Sequence, residues 1–276
     1  MKQYLGLLAL CLLLFNGLAV YAETESKMDI AALKAKAEAD DTWAQFHLGS
    51  RYLYGEGVPK DEAEGLKWLL KAAEKGSPKV DYFLAGRYLK GIGVEPTDKE
   101  ETLKVLREAA QQGNRIAQYY LGTCYLNGWG GAEKNEAEAV KWFQKSADQG
   151  YVGSQVNLGL CYSKGYGVPK NQEEAVKWYR KGAEQGNFMG QYVLGQYYFL
   201  GDGVPKDQAE GLRWIRKSAE NKATEKGFDR AQYYLGQCYL NGDGVPVDKE
   251  EAVKWMRKAA EQGNEPAKKA LEQMGK

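Results

Sequence analysis

The sequence predicts an all-α solenoid of stacked antiparallel helix pairs, and three observations carry that reading. A glycine turn recurs at Gly55, Gly91, Gly128, Gly165, Gly201 and Gly242, with spacings of 36, 37, 37, 36 and 41 residues. A fixed period of this size marks an architecture in which each unit is one supersecondary piece. Before each turn, leucine, a small residue and tyrosine recur at helical spacing. After it come Asp or Asn, then Glu, then an apolar column of tryptophan and alanine, again at helical spacing.

The elements follow in chain order. Residues 1–22 read as a secretory signal peptide: Lys2, an apolar run from Leu5 to Phe15, and Val20-Tyr21-Ala22 ahead of Glu23. The run is shorter than the roughly 20 apolar residues a membrane span needs. A lipoprotein would have to acylate Cys11, but bulky Leu10 precedes it and almost no signal core would remain. A retained N-terminal anchor is the alternative. The expected protein is exported, periplasmic or secreted, with no membrane span in the mature chain. Taking the leader's one lysine from the 38 basic residues leaves 37, against 37 acidic. A neutral chain without a basic excess excludes nucleic acid as the expected partner class.

Residues 23–43 read as an N-terminal capping helix, with Ile30, Leu33 and Ala37 at helical spacing. Solenoids need such caps because an end unit otherwise exposes its stacking face. Six repeats then occupy 44–263, as 44–76, 80–113, 117–150, 154–186, 190–227 and 231–263. The longest interval reflects extra residues from Asn221 to Lys226, which extend the second helix of the fifth repeat or the loop after it. Residues 264–276 read as a C-terminal capping helix opened by Pro266, with Ala267 and Leu271 repeating the first-helix pattern. That makes about fourteen helices.

Within the repeats the first helices carry Leu48, Leu84, Leu121, Leu158, Leu194 and Leu235, each followed by Gly or Ala. Glycine inside a helix costs up to about 1 kcal/mol against alanine, so five of them at one position imply close approach of a neighbouring helix. Asp61, Asp98, Asn135, Asn171, Asp207 and Asp248 stand at the N-cap of the second helices, with a glutamate three residues on. The pair predicts a capping box. Lys67, Lys104, Lys141, Lys177, Arg213 and Lys254 follow three residues later and are placed to pair with that glutamate. The buried column is Trp68, Val105, Trp142, Trp178, Trp214 and Trp255. Cys124, Cys161 and Cys238 share one column; stacked helices lie roughly 10 Å apart, whereas disulfides want Cα atoms about 5.5 Å apart. Buried free thiols are expected.

This arrangement of Leu-Gly, Tyr, Gly-x-Gly-Val, Asp, Ala, Trp and Ala-Ala resembles the Sel-one-like repeat, a cousin of the tetratricopeptide repeat, over nearly the whole mature chain. The resemblance implies a right-handed superhelix whose first helices line a concave side. It also implies an adaptor that holds other proteins, in many bacterial cases exported. Two units depart from the pattern: the second has Val94-Glu95-Pro96-Thr97 and Val105, and the third has Trp129-Gly130-Gly131-Ala132 without Val-Pro. Some cysteine-rich relatives staple each helix pair and have been described as binding or hydrolysing β-lactams. The second helices here contain no cysteine.

The residues offer little for catalysis. His47 is the one histidine, so a His-based metal cluster is excluded, and a nucleophile–histidine arrangement would have to use it. The glycine turns follow helices and lack a P-loop ending, so no cofactor is implied. With Leu48 and Tyr52 toward the core, positions 43, 47, 50 and 54 project together on the other side. That stripe and its equivalents define the expected partner-binding groove: His47, Phe83, Tyr120, Asn157, Val193 and Tyr234; Ser50, Thr123, Gln196 and Gln237; Tyr54, Lys90, Asn127, Lys164 and Asn241. Aromatic and amide side chains suit the gripping of a peptide. Some of these aromatics would alternatively pad contacts between neighbouring first helices. The expected function is a non-enzymatic, monomeric, exported scaffold that binds a protein or peptide segment, as a bacterial envelope or host-contact adaptor or regulator. Alternatives are a cell-wall or β-lactam hydrolase-like protein by family analogy, and a glycan-binding module using Trp43 and Trp129. Alanine at Tyr120 and Tyr234 is expected to weaken a partner while leaving melting unchanged.

Overall fold

The structure is a computed structural model that describes residues 29–75, 99–221 and 227–275. Among the described residues there are thirteen helices and no strand. They are α1 Ile30–Glu38, α2 Thr42–Tyr54, α3 Glu62–Glu74, α4 Lys99–Gln111, α5 Arg115–Asn127, α6 Glu136–Asp148 and α7 Val152–Lys164. Then come α8 Gln172–Glu184, α9 Phe188–Leu200, α10 Gln208–Ala219, α11 Asp229–Asn241, α12 Lys249–Glu261 and α13 Glu265–Gln273. The leader and the segment carrying Phe83 and Lys90 lie outside the described residues. The chain divides into two compact units, Met1–Val105 and Leu106–Lys276. In the first, α1 packs on α2 and α2 on α3; in the second, each helix from α5 to α13 packs on the next.

The second helix of each pair starts where the caps demand. Asp61, Asn135, Asn171, Asp207 and Asp248 accept from the N–H three residues on, at 2.9, 3.0, 3.1, 2.9 and 2.9 Å. Each such cap is worth about 1 kcal/mol. The reciprocal half of the capping box is corrected. The backbone N–H of Asp61, Asn135, Asn171, Asp207 and Asp248 donates to the carbonyls of Tyr52, Tyr125, Tyr162, Tyr198 and Tyr239, at 2.8–2.9 Å. That N–H is therefore taken, and the glutamate turns outward. It pairs with the basic residue three positions on, as Lys177 with Glu174 at 2.6 Å and Lys254 with Glu251 at 3.0 Å. In α3 and α10 it also accepts from the indole N–H of Trp68 and Trp214, at 2.9 and 2.7 Å.

The helix-interior glycines meet their own second helix. A Cβ on Gly195 would stand 2.8 Å from the Gly211 carbonyl oxygen, and one on Gly159 would stand 2.7 Å from the Tyr179 ring. Leu48, Leu121, Leu158, Leu194 and Leu235 are fully buried beside them, and Val105 is buried where the other units place tryptophan. A lysine one turn on covers each tryptophan ring, at 4.4 Å for Lys71 on Trp68 and 3.8 Å for Lys181 on Trp178. Cys124, Cys161 and Cys238 are buried and free, and burial raises each thiol to about 12. The fifth unit's second helix is not lengthened: α10 has 12 residues and ends at Ala219, so the extra residues follow it.

The joins between pairs rest on groups that sequence reading passed over. Gln45, Gln118, Gln191 and Gln232 each donate a side-chain amide to the carbonyl of Ala37, Ala110, Ala183 and Ala219 in the preceding helix, at 3.0–3.2 Å. In turn Gln149, Gln185, Asn221 and Gln262 donate to the amide oxygens of Gln118, Gln155, Gln191 and Gln232. Helix C-termini leave carbonyls without intrahelical partners, and these buried amides supply donors.

Candidate functional site

On α9 the positions equivalent to 43, 47, 50 and 54 are Met189, Val193, Gln196 and Leu200. Helical spacing puts them on one stripe. Leu200 is 74% exposed and Met189 37% exposed, with Val193 and Gln196 half-buried between them. The Gln196 amide is oriented by donation to the Tyr192 hydroxyl at 3.0 Å. Gln237 on α11 does the same to Tyr233, also at 3.0 Å. The stripe there continues with half-buried Tyr234 and exposed Arg230 and Asn241. On α7 it comprises half-buried Asn157 and Leu160 with exposed Lys164.

Tyr234 is shared between two roles. Its ring packs edge-on to Tyr192 and Phe199, with centroids 6.1 and 5.5 Å apart. Burial raises its phenol to about 12, and Tyr192 is also raised by burial. The ring thus pads the contact between α9 and α11 while the residue stays partly exposed.

Tyr120 and Thr123 are corrected. Tyr120 is only 1% exposed and packs edge-on to Tyr119, with centroids 5.1 Å apart. Thr123 is buried and donates its hydroxyl to the Tyr119 carbonyl at 2.9 Å. Burying an aromatic ring is worth about 1.5–3 kcal/mol, and on α5 the ring is drawn inward. Of that helix's stripe only Asn127 is exposed. In the first unit, α2 presents Tyr54 at 55% exposure, with Ser50 and His47 half-buried. His47 lies against Trp43, with rings 4.1 Å apart, and against Phe46 at 5.1 Å. Trp129, in the third unit's turn, is 40% exposed.

Sequence reading missed Met189 and the Tyr192–Gln196 and Tyr233–Gln237 pairs. The signal was available: FMGQYVLGQYYFL is apolar nearly all round, which a helix exposed on one side does not need.

Repeated helix pairs with apolar and amide side chains on an open stripe define a helical-repeat scaffold. The Sel1 repeat profile matches residues 44–77, 79–114, 115–151, 152–187, 189–222 and 229–264. The chain belongs to the Sel1 repeat family, whose members are generally protein-interaction scaffolds and typically not enzymes. It is similar to the crystal structure of c5321, a protective antigen present in uropathogenic Escherichia coli strains displaying an SLR fold, with 36% identity and a TM-score of 0.64. That match covers 87% of this chain and 50% of c5321, so the chain spans half the length of that relative. A Sel1 repeat protein from Oxalobacter formigenes is 31% identical with a TM-score of 0.57, covering 89% of this chain and 79% of that one. No curated protein matches the sequence. Among the described residues no helix is long and apolar enough to cross a membrane.

Proposed function

We propose that the protein is an exported, non-enzymatic scaffold that holds a peptide or protein segment against the open stripe of its first helices. It acts as an adaptor or regulator in a bacterial envelope or at host contact. The observation that carries this reading is Leu200, 74% exposed at the end of a stripe that also holds Met189, Val193 and Gln196. Leaving such a side chain in water forgoes about 1.5–3 kcal/mol of burial, which a bound segment recovers. Gln196 and Gln237, already oriented by tyrosine hydroxyls, give a peptide backbone amides to bond with little ordering cost. The related c5321 is a protective antigen, which favours a location outside the cytoplasm for this chain too.

The test is cross-linking in intact cells followed by mass spectrometry, with wild-type protein beside Leu200→Asp and Met189→Ala. Loss of a captured protein with unchanged melting supports the stripe, while unchanged capture moves the site elsewhere. Mass analysis of the purified protein checks export: a first residue of Glu23 supports it, and retention of Met1 counts against it.

A further inference from the structure

An open groove of about 600 Å³ beside α12 is lined by Lys249, Glu250, Val253 and Arg257 of that helix, by Leu240 at the end of α11 and by Met274 just after α13. Part of its wall repeats positions that stand beside a tyrosine one repeat earlier. Leu240, Val253 and Arg257 stand in the columns of Phe199, Leu212 and Arg216. Tyr239 and Val245 pack on the cluster of Phe199, Leu212 and Ile215. Arg216 donates to the Tyr239 hydroxyl at 2.6 Å, with its guanidinium 6.0 Å from the ring centroid. Arg180 does the same for Tyr198, at 2.6 and 5.5 Å, and Arg107 for Tyr125, at 3.3 and 6.0 Å. Three joins share one arrangement.

α13 breaks it. Ala267 and Leu271 lie in the columns of Ala231 and Leu235, so the tyrosine position falls on Gly275. A Cβ placed there would meet nothing within 4 Å. Arg257 is exposed, and among the described residues its side chain makes no hydrogen bond, ion pair or ring contact. The groove also differs in charge. In one preceding join Gln172 donates to Asp202 at 2.7 Å, four residues after Tyr198. Lys249 stands in the column of Gln172 and brings a positive charge to the wall, beside the carboxylate of Glu250.

We propose that this groove docks a segment of a partner protein carrying tyrosine followed four residues later by an acidic residue. The ring lies on Leu240 and Val253, the hydroxyl accepts from Arg257, and the carboxylate pairs with Lys249. The partner thus continues the stack in the register of the internal joins. The site is separate from the stripe on α9 and does not depend on it.

The probe is a fluorescein-labelled peptide of residues 235–247 bearing Cys238→Ser, which contains Tyr239 and Asp243, titrated into the full chain by anisotropy. Saturable binding is expected. Tyr239→Ala in the peptide, or Arg257→Ala in the protein, should weaken it about tenfold, the loss of one charge-assisted contact. Arg257 is exposed, so its substitution should leave the melt unchanged. Lys249→Gln should weaken binding severalfold, and less so for the Asp243→Asn peptide. Absence of saturable binding, or affinity indifferent to both Tyr239 and Arg257, overturns the proposal. Concentration-dependent dimerisation lost in Arg257→Ala would give the groove to a second copy of the chain and overturn assignment to a foreign partner.

Discussion

The side-chain amide of Gln191 donates to the carbonyl of Ala183 at 3.2 Å, so a buried residue of one pair closes the C-terminal end of the helix before it. Its amide oxygen accepts in turn from Asn221 at 3.1 Å. One residue thus ties together α8, α9 and the end of α10. Gln191→Leu keeps the volume but removes both contacts. We expect a loss of about 1–3 kcal/mol in urea denaturation, the cost of stranding buried polar partners. A change within error would show that water replaces the amide.

Gly195→Ala separates packing from helix propensity. Alanine gains up to about 1 kcal/mol in a helix interior, but its Cβ would lie 2.8 Å from the Gly211 carbonyl oxygen and the Ile215 side chain. Overpacking of that kind costs about 1–3 kcal/mol, so a net loss is expected in thermal melts. Gly150→Ala is the contrast: it meets no atom within 4 Å, and its φ of +81° alone opposes the change.

Tyr120→Ala and Leu200→Ala should divide stability from binding. Tyr120 is enclosed, and its truncation should cost about 3–5 kcal/mol as for other large core aromatics. Leu200 is exposed, so alanine there should leave the melting temperature unchanged and lower partner capture. Equal melting for both variants would contradict the burial of Tyr120.

The thiols give a pH dependence with a definite sign. Burial raises Cys124, Cys161 and Cys238 to about 12, above the ordinary thiol value of 9.0. Between those values the unfolded chain loses protons that the folded chain keeps, so stability present below pH 9 falls as pH rises toward 12. Urea midpoints at pH 7, 8.5 and 10 should decrease in that order, with the drop concentrated in the last step. A thiol reagent at pH 8 should label the native protein slowly and the denatured protein at once.

What was legible in the sequence is what a one-dimensional spacing determines. Leu194, Gly195, Trp214 and Asp207 recur at fixed intervals, and their intervals alone fix helix, packing face and cap. The angle of a residue around its helix was legible too, which is why Gln196, Gln237 and Asn241 lie on the side of their helices away from Leu194 and Leu235. What stands opposite that angle was not. Tyr120 and Val193 share a column, yet Tyr120 is enclosed and Val193 half-open, because enclosure depends on the bulk of neighbouring side chains. Glu64 illustrates a second limit. Its spacing fits a capping box, but the N–H it would have taken already donates to the Tyr52 carbonyl, a contact made across the turn. The amide ladder escaped for a related reason: Gln118 reads as a polar neighbour of Ala117 until Ala110 is brought beside it.

The amides and arginines at the joins make the repeat directional. The end of α8 is finished by Gln191, and the Arg180 side chain by Tyr198, both from the pair that follows. On a ribosome, each pair would emerge with carbonyls such as that of Ala183 bonded only within their own turn until the next first helix brings its amide. Assembly is then vectorial, and a chain stalled between pairs carries at its growing end an arginine, such as Arg180, that still lacks the tyrosine hydroxyl of the next pair.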